Sequence, residues 1–495
     1  LSFSELLRED SIMITTIKSY IKTNKLFAFV AMIALVMSSC EIDSSINDNP
    51  NEITLADVDA RLFLNGAMLA NTQVQVGHLN RIAAMFSGQN VGFTSLYSNI
   101  YTYALTADES NDEWNAAYVG VTTNARYIRN AAPEDKLLVG ISKVVEANAI
   151  GTLAILMGDV PYSEIGSDVE DPKFDTQKTV LASLSSLLDE AIADLTAATS
   201  RNESFDIVFN GDKSKWIEAA YTLKARYALI QSDYSAALSA ANNGISSSAG
   251  DMMYIPRGDA AINSGDKNLF YTLLAGSRTG DIGNKGSYLI SMLNPAESEY
   301  RGNAKTNELA RHNYYVIEEM SASGNTGVAH QYEPQPFATY SENQLIKAEA
   351  AARTSGFAAG LSNLNTYRAW LATGGRLNST HDVSANYKYD AYVEADFTSG
   401  GMENADGVTK EVALLREILE ERYISLYGSY GPFNDHRRLR GDGETNLIVP
   451  FPLNTQAATK HVERFPYAQS EKNSNSNVPV IADQDALYTK TEVNK

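Results

Sequence analysis

Residues 417–439 read EILEERYISLYGSYGPFNDHRRL. A helix-forming run carries Glu421, Arg422 and Leu426 and stops at Gly428. The chain then turns through Phe433 and Asp435 into the paired Arg437 and Arg438. Opposite charges crowded at such a junction are expected to cap and brace the last helix through charge-assisted hydrogen bonds rather than to meet a ligand. A second ordered segment follows at 464–479, RFPYAQSEKNSNSNVP.

Upstream, helical periodicity dominates. In QKTVLASLSSLLDEAIADL (177–195), Leu181, Leu184, Leu188, Ile192 and Leu195 recur at spacings of three and four, with Asp189, Glu190 and Asp194 off the stripe. The segment ISKVVEANAIGTLAILMGDVPY (141–162) is apolar all round, which predicts a buried helix ending at Gly158 with Pro161 beyond its stop. Residues 212–245 predict one helix, a Ser-Asp break and a second helix, with Trp216 and Tyr221 early and small Ala residues where helices touch, a layout similar to a tetratricopeptide unit. Residues 342–354 with 357–372 repeat that layout. The expected fold is therefore mainly α: a single large domain, 56–495, of tetratricopeptide-like helix pairs.

Two insertions interrupt it, at about 246–340 and 373–408, rich in Gly, Ser and Asn and without sustained period. Tyr254, Tyr271, Tyr288, Tyr300, Tyr387, Tyr389 and Tyr392 stand inside them. Disordered linkers are poor in aromatics, so these are expected to be long, irregular but ordered binding loops. The sequence holds 27 Tyr against 16 Phe and 3 Trp. Tyr combines an apolar face with a polar tip, which suits amphipathic ligands such as sugar rings, although most of the 27 are expected simply to pack.

The only cysteine of the 495 residues, Cys40, follows Lys18, Lys22, Lys25, an apolar run from Leu26 to Met37, and Ser38-Ser39. A charged region, a short apolar region and small residues at the cut describe a secretory signal, too short to span a bilayer. With Met37-Ser38-Ser39-Cys40 as the lipobox, it resembles a bacterial lipoprotein signal. Residues 13–39 are then the signal peptide, Cys40 is lipidated, and 40–55 form a polar tether broken by Pro50. Leu1–Ile12 precede Met13 and are expected to be overrun upstream of the start. Removing 1–39 takes away four positive and three negative side chains, so the remainder is one unit more negative than the −20 of the whole chain. That charge repels phosphates and excludes nucleic acid as a natural partner.

No catalytic constellation emerges. His78, His312, His330, His381, His436 and His461 are scattered, without a His-Glu-x-x-His or a pair at metal spacing. There is no G-x-S-x-G elbow and no phosphate-binding G-x-x-x-x-G-K-[ST] loop. Gly280, Gly283 and Gly286 sit in a polar loop that no apolar strand precedes, which argues against a dinucleotide site. The acidic runs near Pro50 and at 108–113 lack the spacing of a calcium loop. No catalytic residue, metal ligand or cofactor is expected.

Together these segments resemble the SusD/RagB family of outer-membrane lipoproteins. The resemblance rests on Glu421, Arg422, Leu426, Gly428, Phe433, Asp435, Arg437 and Arg438, and on the closing Arg464, Pro466, Tyr467, Ser470, Glu471, Asn475 and Asn477. GTLAILMGDVPYSEI (151–165), the blocks at 171–195 and 211–229, and the lipobox match in order, with Met157 where the family usually has Tyr. The resemblance implies a non-enzymatic lipoprotein, anchored in the outer membrane and exposed at the cell surface. It would act as a lid on a SusC-like TonB-dependent transporter and capture oligosaccharides for import; the alternative is a peptide-capturing RagB-like protein of the same design.

Family motifs are not the ligand site. Trp114 and Tyr118 lie in a W-x-x-x-Y helix, and Trp216 and Trp370 lie in helices too, so packing is expected for the three Trp. By location in the chain, the resemblance instead places ligand contacts before the W-x-x-x-Y helix, at Phe93, Tyr97, Asn99, Tyr101 and Tyr103, and in the mid-chain loops, at Tyr288, Tyr300 and Arg301. FTSLYSNIYTY (93–103) nearly alternates its aromatics, so several are placed on one side of an extended stretch; the competing reading is an element edge buried in the core.

Overall fold

Helices form where an apolar stripe begins behind a side-chain cap, and the chain uses this device repeatedly. The computed structural model describes residues 58–166, 169–259, 262–481 and 483–495; the signal, Cys40 and the tether lie outside the described residues. α1 (Ala60–Val76) starts at Asp59, whose carboxylate accepts from Arg61 N at 3.0 Å, and α2 (His78–Phe86) follows after Gly77. Strand β1 (Val91–Gly92) leads to the short helix α3 (Ser95–Tyr101). Then come α4 (Asn111–Asn115), a π-helical stretch (Ala116–Thr123) and α5 (Asn124–Ala131).

α6 (Lys136–Met157) is the axis of the molecule. Every residue of it except Lys136 and Lys143 is buried, so its length and hydropathy, which would suffice for a membrane span, serve a protein core. It ends at Gly158 with φ of +92°, a left-handed stop that favours glycine. β2 (Val160–Pro161) and β3 (Phe174–Asp175) pair antiparallel before α7 (Gln177–Ala197), capped by Thr176, which buries Leu181, Leu184, Leu188 and Leu195 as the spacing predicts.

α8 (Lys213–Ile230) and α9 (Tyr234–Ala241) form the first expected helix pair, each capped by an Asp, Asp212 and Asp233. Gly151 lets α8 approach α6: a Cβ there would meet the Tyr227 hydroxyl at 2.1 Å, and that hydroxyl donates to Ala147 O at 2.6 Å.

The first insertion is ordered. Strands β4 (Met252–Tyr254), β5 (Gly258–Asp259), β6 (Ser264–Gly265), β7 (Ile282–Gly283), β8 (Thr306–Asn307) and β9 (Gln335–Ala338) alternate with the short helices α10 (Leu269–Ala275), α11 (Tyr288–Leu293) and α12 (Leu309–Tyr315). β7 pairs antiparallel with β1, β9 with β4, and β5 with β6. The second pair, α13 (Tyr340–Ser355) and α14 (Phe357–Leu371), packs on α9. In the second insertion β10 (Lys388–Tyr389) pairs with β8 ahead of α15 (Glu394–Phe397). α16 (Lys410–Ser425), α17 (Gly431–Gly441), α18 (Gln469–Ser474) and α19 (Asp483–Ala486) complete the chain, and Asp59–Lys495 is one unit built around a single main core.

The charged motif residues brace this unit as expected. Arg422 pairs with Asp435 at 2.8 Å, and Arg438 with Glu349 of α13 at 2.9 Å and Asp435 at 3.2 Å. Arg437 donates to Glu463 O and Ile155 O at 2.8 and 3.0 Å, tying α17 to the closing segment and to α6. Trp216 is fully buried, its indole donating to Asp206 at 2.7 Å, and Trp114 packs on Tyr118 and Phe174. Within the insertions, Tyr254, Tyr389 and Tyr392 are buried and pack as most of the tyrosines were expected to, with the Arg368 guanidinium 3.7 Å over the Tyr392 ring, and Tyr300, expected to touch ligand, accepts Glu308 N.

Candidate functional site

The residues 93–103 form no extended platform. Ser95, at φ of +54°, starts the helix α3, whose turns send Tyr97 inward: it is 2% exposed, with its hydroxyl 3.0 Å from His78 Nδ1 and accepting from Arg81 Nε at 3.2 Å. Tyr103 is 8% exposed and its hydroxyl accepts Asn454 N at 3.0 Å. Tyr101 is half-buried against the core, and burial pushes its phenol up from the ordinary range. Asn99 is exposed, and Phe93 is 39% exposed with its ring against Gly283 of β7.

In the mid-chain set, Arg301 is a structural ion. Its side chain is 4% exposed and reaches Glu417 at 2.6 Å, Glu421 at 2.8 Å and Glu308 at 3.2 Å, while Arg311 also binds Glu421 and Glu308. A guanidinium so enclosed has no face to offer a ligand. Tyr288 stands edge-on to Tyr423 in a satellite cluster, and Tyr300 covers Gly302. Of the eight expected ligand residues, Phe93 and Asn99 thus remain on the surface, Tyr101, Tyr288 and Tyr300 are half-buried, and Tyr97, Tyr103 and Arg301 are enclosed.

The aromatic cleft lies next door. Asn80, Arg81 and Asn90 from α2 and its following turn form one wall; Phe270 of α10, Tyr314 and Tyr315 of α12, and the Pro334–Pro336 turn form the other, with Tyr427 and Gly428 below and Arg376 from the second insertion at the back. The rings are set against each other: Tyr314 lies 5.3 Å from Tyr315, and Tyr315 lies 5.4 Å edge-on to Tyr427. Polar tips are held too. The Tyr427 hydroxyl donates to Asn90 Oδ1 at 2.7 Å, and the Tyr314 hydroxyl donates to Glu333 at 2.7 Å. Phe93 does not line the cleft; its ring packs near Gly283, which also lies close to the carbonyl of the lining residue Ile317.

One buried side chain assembles the insertion wall. Asn268 caps α10 by accepting Phe270 N and Tyr271 N at 2.8 and 3.2 Å, and its amide donates to Val328 O and Glu333 O at 3.1 and 3.0 Å. Asn284 does the same lower down, donating to Tyr315 O and accepting Ile317 N. Gly428, with φ of +84°, makes the left-handed turn just past the end of the motif helix, and its carbonyl accepts Asn80 Nδ2 at 3.2 Å. The lining residues Phe270, Tyr314, Tyr315, Arg376 and Tyr427 were not foreseen as ligand contacts; the aromatic enrichment of the insertions was the signal that pointed to the first three.

A wider cleft of about 360 Å³ runs between the π-helical stretch and α18, past Trp114, Tyr118 and Pro161. It carries the carboxylates of Glu164, Glu170 and Glu471, and two aromatic residues, Trp114 and Tyr118, line it against four in the first cleft. Among the described residues no group of three or more His, Cys, Asp or Glu side chains is placed to hold a metal ion, and the close His436–His461 pair, rings 4.5 Å apart, lies against Phe451.

The family model SusD-like, described as starch-binding and associating with the outer membrane, matches residues 50–440. The chain belongs to the SusD-like family. Solved SusD-like structures share its fold. A SusD/RagB family protein from Bacteroides thetaiotaomicron superposes with a TM-score of 0.63 at 20% identity, covering 85% of this chain and 95% of that one. A SusD homolog from Bacteroides uniformis gives 0.63 at 18% identity over 88% and 99%. A chitin-binding SusD homolog from Flavobacterium johnsoniae gives 0.61 at 17% over 83% and 94%. No curated protein matches this SusD-like chain.

Proposed function

We propose that this SusD-like protein is a surface lipoprotein that captures oligosaccharides in the aromatic cleft and passes them, uncut, to a SusC-like TonB-dependent transporter. The observation that carries the reading is the convergence in one concave site of the rings of Phe270, Tyr314, Tyr315 and Tyr427 with the side-chain amides of Asn80, Asn90 and Gln335. Sugars present apolar C–H faces and a ring of hydroxyls, and flat rings beside amide groups answer both. The chitin-binding relative supports a glycan as the ligand class. The space inside is narrow, about 40 Å³, so sugar rings lie across the mouth and a substituent enters, with the exposed Phe93 ring beyond the lining as a further surface for stacking. Lipidation at Cys40 and the 40–55 tether supply the attachment that a transporter lid needs.

Calorimetry of the purified protein against a panel of polysaccharides and a peptide digest tests the reading. Binding to a glycan that is recovered intact supports capture; binding to peptides alone would move the protein to the peptide-capturing branch. Copurification of a β-barrel transporter with the tagged protein checks the partner.

A further inference from the structure

Building on the glycan-capture reading, one side chain in the cleft is unlike its neighbours. Most buried or half-buried arginines of this molecule are matched by a carboxylate or by backbone carbonyls: Arg301, Arg311, Arg353, Arg422 and Arg438 each hold one or more carboxylates, and Arg437 holds carbonyls, while Arg81, on another wall of the cleft, donates to the Tyr97 hydroxyl at 3.2 Å. Arg376 has neither. Its one hydrogen-bond contact is Met253 Sδ at 3.9 Å, and sulfur is a weak acceptor. The counter-charge that faces it is Asp251, whose carboxylate already accepts Tyr340 N at 2.6 Å and is not within ion-pair reach of it; burial pushes that carboxyl up to about 6, while Arg376 pulls the other way.

Arg376 also lines both the 40 Å³ cleft and a smaller cavity of about 20 Å³, the two sharing Tyr314, Tyr315 and Arg376 in their walls. The two spaces are narrow, about 40 and 20 Å³, and admit a projecting substituent such as a carboxylate more readily than a whole sugar ring. Among the described residues, the phenols of Tyr314, Tyr315 and Tyr367 also face the guanidinium.

We infer that Arg376 receives the carboxylate of a uronic acid, so that the captured oligosaccharide carries a uronate residue among neutral sugars. The fork of a guanidinium matches a carboxylate in two parallel hydrogen bonds, and the aromatic walls exclude water from them. The net charge of −20 opposes a polyanion, so isolated uronates on a neutral backbone fit better than a polyuronate. Peptides also carry carboxylates, but the four rings and three amides around the cleft suit sugar faces and hydroxyls.

The test is calorimetry of the purified protein with glucuronate- and galacturonate-bearing oligosaccharides and their carboxyl-reduced twins, alongside a peptide digest, for the wild type, Arg376→Gln and Arg376→Lys. The wild type should bind a uronate form about tenfold or more tighter than its reduced twin. Arg376→Gln should erase that preference while keeping the affinity for the reduced twin, and Arg376→Lys should restore part of it; unchanged melting temperatures show that the fold is intact. Equal affinity for the two twins, or a preference that survives in Arg376→Gln, overturns this inference and leaves glycan capture standing. Failure of both twins, or Arg376-dependent binding of peptides only, overturns the capture reading and this inference with it.

Discussion

Phe93 and Tyr97 stand four residues apart in one aromatic run, yet their truncations should part company. Tyr97→Ala removes a core ring and takes away the hydroxyl partner of Arg81 Nε and His78 Nδ1, so it should lower unfolding free energy by about 3–5 kcal/mol in urea titration, whereas Tyr97→Phe should lose only about 1 kcal/mol. Phe93→Ala should leave stability within about 0.5 kcal/mol and weaken glycan binding roughly two- to tenfold, read by calorimetry. The sequence pattern allowed either outcome. Phe93, Tyr97 and Tyr101 recur every fourth residue as well as nearly alternating, so a period-two reading and a helical reading fit the same letters. The left-handed Ser95 that starts the helix was not legible. Arg301 was illegible for a different reason: its partners Glu417 and Glu421 lie more than a hundred residues downstream, and only the fold brings them together.

Between elements, single side chains hold large pieces in register. Asn268→Ala removes both the cap of α10 and the two amide donors that hold the 328–333 turn, at a loss of about 1–3 kcal/mol. Hydrogen exchange should then accelerate in 269–275 and 328–336 while α6 and α7 keep their protection, and glycan affinity should fall with the loosened wall. Gly151→Ala strikes the scaffold instead, forcing Tyr227 off its bond to Ala147 and separating α6 from α8; a loss of about 1–3 kcal/mol with glycan affinity per folded molecule unchanged is expected. The helices themselves were readable because stripes, Asp and Thr caps and glycine stops are local. The cleft was readable only as an excess of aromatics in aperiodic segments, since antiparallel pairing of two-residue strands such as β1 with β7 leaves almost no trace in composition.

Across the whole molecule, acid is the natural antagonist. Burial would raise the Glu349 carboxyl, but Arg438, Arg353 and Arg422 hold it below the usual carboxylate range, so its stabilisation is complete above the ordinary carboxylate value and is lost as pH falls below it. Burial, with Arg440 beside it, pushes His461 down to about 4, and His436 is lowered as well. Folded, these imidazoles stay neutral while the unfolded chain takes up their protons near 6.5, so their share of the stability should already fall between pH 6.5 and 4. Burial pushes the Glu417 and Asp251 carboxyls up to about 8 and about 6, which works the other way, so the test is a difference: His461→Gln should raise the urea midpoint at pH 4.5 relative to that at pH 7, compared with the wild type. At the other end of the chain, Cys40→Ala should move the protein from the membrane fraction to the soluble one and abolish incorporation of labelled fatty acid.

The way Gly428 seats the motif helix beneath the cleft gives the site two histories. Its floor, Tyr427 and Gly428, is spelled by the turn that follows a core helix and is tied to Asn80 of α2, so it cannot drift without endangering the fold. Most of its walls are spelled by insertions pinned at a few points such as Asn268 and Asn284. A lineage that changes its diet has only to rewrite those walls, keeping the pins and the floor as a fixed inheritance.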